Sequence, residues 1–139
     1  MIKDIEICKS AGINGVVFGI LATGNGIDEK RNRILVETAY PLETTFHRAF
    51  DLSPVPEEDI ERIIKCGFTR LLTSGCKRNA AEGVEIISRL ADIAGNRIIV
   101  MPGGGVRKDN IQQIYEKTKA AEYHSSSAEI IGSIKNYYE

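Results

Sequence analysis

The chain of 139 residues has the length of one ordinary domain, and its 42% hydrophobic and 27% charged residues describe a globular fold, not a disordered tail. Its formal net charge is −1 with both signs interleaved, so no basic stripe marks a nucleic-acid surface and no nucleic-acid partner is expected. No apolar run approaches the roughly 20 residues of a membrane span, which excludes a spanning helix as a reading of the sequence.

The chain opens on a helix pattern at residues 2–11, which places Ile2, Ile5, Cys8 and Ala11 on one stripe that calls for a sheet to cover. This segment lacks the apolar core of a secretory signal. Short apolar runs then recur at 15–21, 43–49, 69–74, 97–101 and 120–124. Their spacing of about 27 residues is the scale of one strand-and-helix unit. Helix-period segments fill the intervals at 28–39, 56–66, 80–94 and 108–118. Asp28 suits an N-cap and Pro56 a first helical turn, while Gly12, Gly67 and Gly95 follow helical patterns as C′ glycines do. In 80–94 the stripe is Val84, Ile87, Ala91 and Ala94, widened by Ile86, Leu90 and Ile93. Runs such as Gly-Val-Val-Phe-Gly-Ile-Leu are continuously apolar, as expected of parallel strands covered on both faces.

Strands alternating with helices predict an α/β fold with right-handed crossovers. Five such units fit either a small flavodoxin-like sheet or most of a (β/α)₈ barrel. A helix ahead of the first strand favours the barrel. The expectation is a partial TIM-type barrel of about five parallel strands, one domain over residues 1–139.

In parallel α/β folds functional groups collect at the carboxyl ends of strands. Here those ends read His47-Arg48-Ala49-Phe50-Asp51, Thr73-Ser74-Gly75-Cys76, Pro102-Gly103-Gly104-Gly105 and His124-Ser125-Ser126-Ser127, and both histidines of the chain fall among them. His47 and Arg48 have the chemistry to bind an anion or to act as an acid/base pair, with Asp51 to orient them. Equally, His47 can fill a polar layer inside a barrel while Arg48 pairs with Asp51. The bare amides of Gly103, Gly104 and Gly105 suit a phosphate, and the same glycines also suit a tight strand-to-helix turn. Ser74, Ser125 and Ser126 lie in no Gly-x-Ser-x-Gly elbow and read as hydroxyl donors to a ligand or to the backbone.

Three widely spaced cysteines argue against a disulfide framework and for a reducing cytoplasm. Cys8 and Cys66 fall within helical patterns and read as packing. Cys76 stands at a strand end, where a thiolate can bind a soft metal such as Cu(I) or act as a nucleophile. Met101 offers a thioether or simply packs.

Taken together, five ordered strings resemble the CutC family of copper homeostasis proteins: Gly-Val-Val-Phe-Gly-Ile-Leu (15–21), Thr-Phe-His-Arg-Ala-Phe-Asp (45–51), Arg-Leu-Leu-Thr-Ser-Gly (70–75), Met-Pro-Gly-Gly-Gly-Val (101–106) and Glu-Tyr-His-Ser-Ser (122–126). Ala-Ala-Glu-Gly (80–83) also fits. The resemblance implies a TIM-type barrel, a cytoplasmic location and Cu(I) binding or trafficking, with a metal ion or small anionic molecule as partner. His47, Arg48, Asp51, Ser74, Gly103, Gly104, Gly105, His124 and Ser125 match characteristic positions of the family. A whole barrel of this family has three further strands before these, which carry the cysteines usually suspected of holding copper. After Ser126 the family has a longer loop and a later helix. Five strands leave two raw edges, for which association in a homodimer is expected. The competing function is a barrel enzyme acting on a small anionic or phosphorylated substrate through Arg48, the glycines and a proton-moving histidine.

Overall fold

The computed structural model describes residues 1–126. Its elements run α1 (Ile2–Ser10), β1 (Gly15–Phe18), α2 (Glu29–Ala39), β2 (Glu43–Phe46), a 3₁₀ turn (Arg48–Leu52), α3 (Pro56–Cys66), β3 (Arg70–Thr73), α4 (Val84–Ala94), β4 (Ile99–Pro102) and α5 (Ile111–Thr118). The four strands form one parallel sheet in the order β1-β2-β3-β4. The α/β reading with parallel strands is therefore correct. Local signals set the boundaries as expected: the Asp28 carboxylate accepts from the Arg31 amide at 2.8 Å, Pro56 opens α3, and Gly67 closes it at φ 91°.

Register decides which face each side chain takes. Phe18 pairs with Phe46 and Phe46 with Leu71, while Leu71 pairs with Val100. This face lies beneath the helices. Phe46, Ile60, Ile63, Leu71, Ile87, Leu90 and Ile114 are wholly buried there, each contributing about 1.5–3 kcal/mol. Phe68 joins the two strand aromatics, its ring centroid 5.1 Å from Phe18 and 5.2 Å from Phe46. The opposite face carries Val17, Thr45, Arg70 and Ile99 in one row, with Leu72 beside Met101 above it. In a closed barrel this is the interior. Here Val17 is 62% exposed, and the outer edge of β1 has no strand partner among the described residues.

Three expectations are adjusted. The run at 15–21 yields a strand only as far as Phe18, and Gly19 after it lies so close to the Phe46 ring that a Cβ there would stand 2.8 Å away. Beyond it the chain turns, and fully buried Asn32 bonds both the N–H and the C=O of Ile20. The run at 120–124 meets the sheet through one parallel bridge, His124 beside Gly103, instead of a full fifth strand. Finally, α1 packs chiefly against α2, with Ile5 buried in the core while Ile2 remains 46% exposed. No helix among the described residues is long and apolar enough to cross a membrane.

Candidate functional site

The segment 45–51 runs out of β2 into the 3₁₀ turn. At 3.0 residues per turn, Arg48 and Asp51 stack on one side of it. His47 is the extended residue before the turn, and its Nδ1 accepts from the Ala49 amide at 3.3 Å. That bond fixes the ring and leaves Nε2 as the nitrogen open to a ligand.

Asp51 is the hub. Its Oδ1 accepts from the Thr73 hydroxyl at 2.5 Å, the Ser74 amide at 3.0 Å and the Cys76 amide at 3.2 Å. Its Oδ2 accepts from Arg48 Nε at 2.8 Å. The side chain is 10% exposed, so these charge-assisted bonds work in a weakly screened setting. Arg48 Nη2 donates to Ser74 Oγ at 2.8 Å. The Ser74 hydroxyl then has a single proton for either the Lys77 carbonyl at 2.6 Å or Asp51 Oδ2 at 2.8 Å. Ser74 is wholly buried, with its hydroxyl held among Arg48, Asp51 and the Lys77 carbonyl.

The glycine loop sits across from this cluster. Pro102 and Gly103 are buried, and a Cβ at Gly103 would stand 3.3 Å from that of His124. Gly104, at φ 91°, lies so close to Arg48 that a Cβ there would be 2.7 Å from Nη1. The Asn110 amide pins the loop by donating to the Gly105 carbonyl at 2.8 Å. The Ser125 hydroxyl donates to the Val106 carbonyl at 2.8 Å, and the His124 amide to that of Pro102 at 2.9 Å. Arg48, Asp51, Ser74 and the glycines thus form one continuous cluster, bordered by exposed His124. Ser127 lies outside the described residues.

Cys76 adopts φ 56°, and its half-buried thiol is pushed up to about 11, by burial first and by Asp51 second. A thiol whose pKa rises on folding stabilises the fold below its ordinary range and loses that contribution as pH climbs through the folded value. Cys76 is therefore expected to alkylate more slowly than a cysteine peptide at pH 8. Its rate should climb only towards pH 11, with Cys76→Ser removing part of the stability lost between about pH 9 and 11. Peptide mass mapping of alkylation reads this directly, and fast labelling at pH 8 contradicts it.

Sequence reasoning missed the network at the other end of the strands. Arg70 grips Glu122 with two bonds of 2.7 and 3.0 Å and also pairs with Glu43. Arg70 holds the Glu122 carboxyl below its usual range. The signal was present, since a cation inside an apolar run needs an anion. A concavity of about 610 Å³ lined by Gly67, Thr69, Arg97, Ile99 and Lys119 also lies at these strand starts, away from Asp51. Conserved chemistry in barrels sits at the opposite rim.

Comparison with known proteins agrees with the motif resemblance. The profile described as the CutC family matches residues 1–129. A CutC family protein of Chromobacterium violaceum is 42% identical over 137 residues, covering 99% of this chain and 56% of the relative. The copper homeostasis protein cutC homolog of Mus musculus is 44% identical over 127 residues, covering 91% of this chain and 47% of the relative. The crystal structure of a CutC protein from Streptococcus agalactiae superposes with a TM-score of 0.83 at 32% identity, covering 88% of this chain and 60% of that one. The chain spans about half the length of the curated relatives it matches. With its ordered strand-end strings, its parallel sheet and these matches, the chain belongs to the CutC family.

Proposed function

We propose that this chain serves in copper homeostasis, with Cu(I) as cargo and Cys76 as its donor at the strand-end mouth. The observation that carries the reading is the family match together with the name of the mouse relative, a copper homeostasis protein cutC homolog. The donor set limits how the metal can be held. Among the described residues no group of three or more His, Cys, Asp and Glu is placed to hold a metal ion, and Cys66 is buried on α3. Cu(I) would therefore pass over a thiol at the mouth and not rest in a closed cage. An anaerobic Cu(I) titration against a chromophoric competitor tests this. The expected result is that Cys76→Ser loses about one equivalent, since a soft thiolate is the preferred Cu(I) ligand. Equal stoichiometry and affinity in the two proteins removes Cys76 from the site.

A cytoplasmic location and one partial-barrel domain over residues 1–139 belong to the same proposal, the first supported by three free thiols. Association of two copies through open strand edges is supported by the outer edge of β1, which has no strand partner among the described residues and carries exposed Val17.

A second reading is favoured by one specific observation, the fixed Arg48 guanidinium beside Gly104. It is a barrel enzyme or binder that takes a small anionic substrate at the mouth, with His47 or His124 moving a proton.

A further inference from the structure

The sequence holds two Asn-Gly dipeptides, Asn14-Gly15 and Asn25-Gly26, and the fold sets them in opposite circumstances. Asn25 stands at the tip of a short hairpin beyond the end of β1, in which Leu21 bridges Ile27. The Asn25 amide donates to the Ala22 carbonyl at 3.1 Å, and the Ala22 amide to the Gly26 carbonyl at 2.8 Å. Residues 22–25 are exposed, and nothing lies within 4 Å of a Cβ built on Gly24 or Gly26. Asn25 takes φ 65°, a left-handed conformation that asparagine tolerates.

Asn14 is exposed as well, so exposure does not separate the two. The peptide unit between Asn and Gly does. The Asn14 carbonyl accepts from the Glu43 amide at 3.0 Å, and a Cβ on Gly15 would stand 2.9 Å from the Glu43 carbonyl oxygen. The Asn25–Gly26 unit makes no hydrogen bond through its C=O or its N–H among the described residues, and neither does the Asn25 side-chain amide. Bringing a glycine nitrogen onto the preceding asparagine side chain requires rotation about the asparagine Cα–C bond, which swings this whole unit. Asn14 cannot make that rotation without breaking its rung of the sheet, whereas Asn25 can.

We propose that Asn25 is a site of covalent modification, where the Gly26 nitrogen attacks the Asn25 side chain and converts it to an acid, while Asn14 is spared. The Gly26 nitrogen gives its proton to solvent base and bonds to Asn25 Cγ. The bond from Cγ to the side-chain nitrogen breaks, and that nitrogen leaves as ammonia. Water then opens the cyclic imide at either carbonyl, leaving aspartate or isoaspartate. The hairpin leaves the strand end that borders the mouth, since the Phe18 carbonyl accepts from the His47 amide at 3.3 Å. Conversion therefore adds a lasting negative charge to that rim, on a chain whose formal net charge is −1.

The test incubates the intact folded chain in mildly alkaline buffer and maps its peptides by mass over time. Aspartate and isoaspartate are expected at Asn25, with Asn14 converting about tenfold or more slowly because its strand must first open. In urea the two dipeptides should convert at comparable rates, which places the difference in the fold. Gly26→Ala meets nothing in the folded chain and should slow conversion at Asn25 several-fold, by crowding the attacking nitrogen. Asn25 remaining intact in the folded chain while it converts in urea overturns the site. Equal rates at Asn14 and Asn25 in the folded chain overturn the selection by the peptide unit. Aspartate without isoaspartate, or an unchanged rate in Gly26→Ala, overturns the attack by the Gly26 nitrogen.

Discussion

Asp51→Ala is expected to destabilise the fold by about 3 kcal/mol, the cost of leaving the buried Thr73 hydroxyl and Ser74 amide without their acceptor. The carboxylate accepts from the Thr73 hydroxyl, the Ser74 and Cys76 amides and Arg48 Nε, and it competes with the Lys77 carbonyl for the Ser74 hydroxyl proton. Alanine offers no acceptor to any of these donors. The wholly buried Thr73 and Ser74 cannot turn to water without moving the end of β3. Asp51→Asn keeps one oxygen and should cost less. Urea denaturation followed by circular dichroism measures both. A loss below about 1 kcal/mol for the alanine variant would mean that the carboxylate does not organise the mouth.

Gly83→Ala is expected to be at least as damaging, by about 3 kcal/mol or more, because overpacking against backbone leaves little to relax. A Cβ at this position would stand 1.8 Å from the Ser74 carbonyl oxygen. Gly75 meets Gly83 from the other side, where its own Cβ would fall 2.4 Å from the Gly83 carbonyl. The two glycines let the start of α4 touch the end of β3, and that contact seats Ser74 under Arg48. Gly26→Ala is the control, since nothing lies within 4 Å of its added Cβ, and it should change stability by less than about 0.5 kcal/mol. Equal melting temperatures for the Gly83 and Gly26 variants would contradict the close approach.

These two positions show what could and could not be read in advance. The Asp28 cap, the Pro56 start and the Val84, Ile87 and Ala94 positions of the α4 stripe were legible because each depends on neighbours within a turn or two. His47, Arg48 and Asp51 were legible as a polar strand end, and the structure adds that Asp51 reaches across to β3. Gly83 was noticed only as part of a string. Its reason, a carbonyl one strand away, exists only after α4 has docked. The Arg70–Glu122 pair spans 52 residues, and no local pattern predicts which acid a strand cation will meet. The fifth run read as a strand from its apolar character, yet one bridge forms there while Glu122 turns to Arg70.

The strand order β1-β2-β3-β4 has a further consequence. Each strand lies beside the one that precedes it in the chain, and the helix pairs α1 with α2, α2 with α3, α3 with α4 and α4 with α5 follow the same rule. The architecture is a nearest-neighbour array, closer to a stack of interchangeable rungs than to a knot of distant crossings. Ladder partners such as Gly15 and Glu43, or Arg70 and Ile99, still stand a whole helix apart in the chain, so each rung must close its own loop before it pairs, and parallel pairing of this kind is slow. Lengthening such an array adds rungs at an edge and leaves every existing register in place.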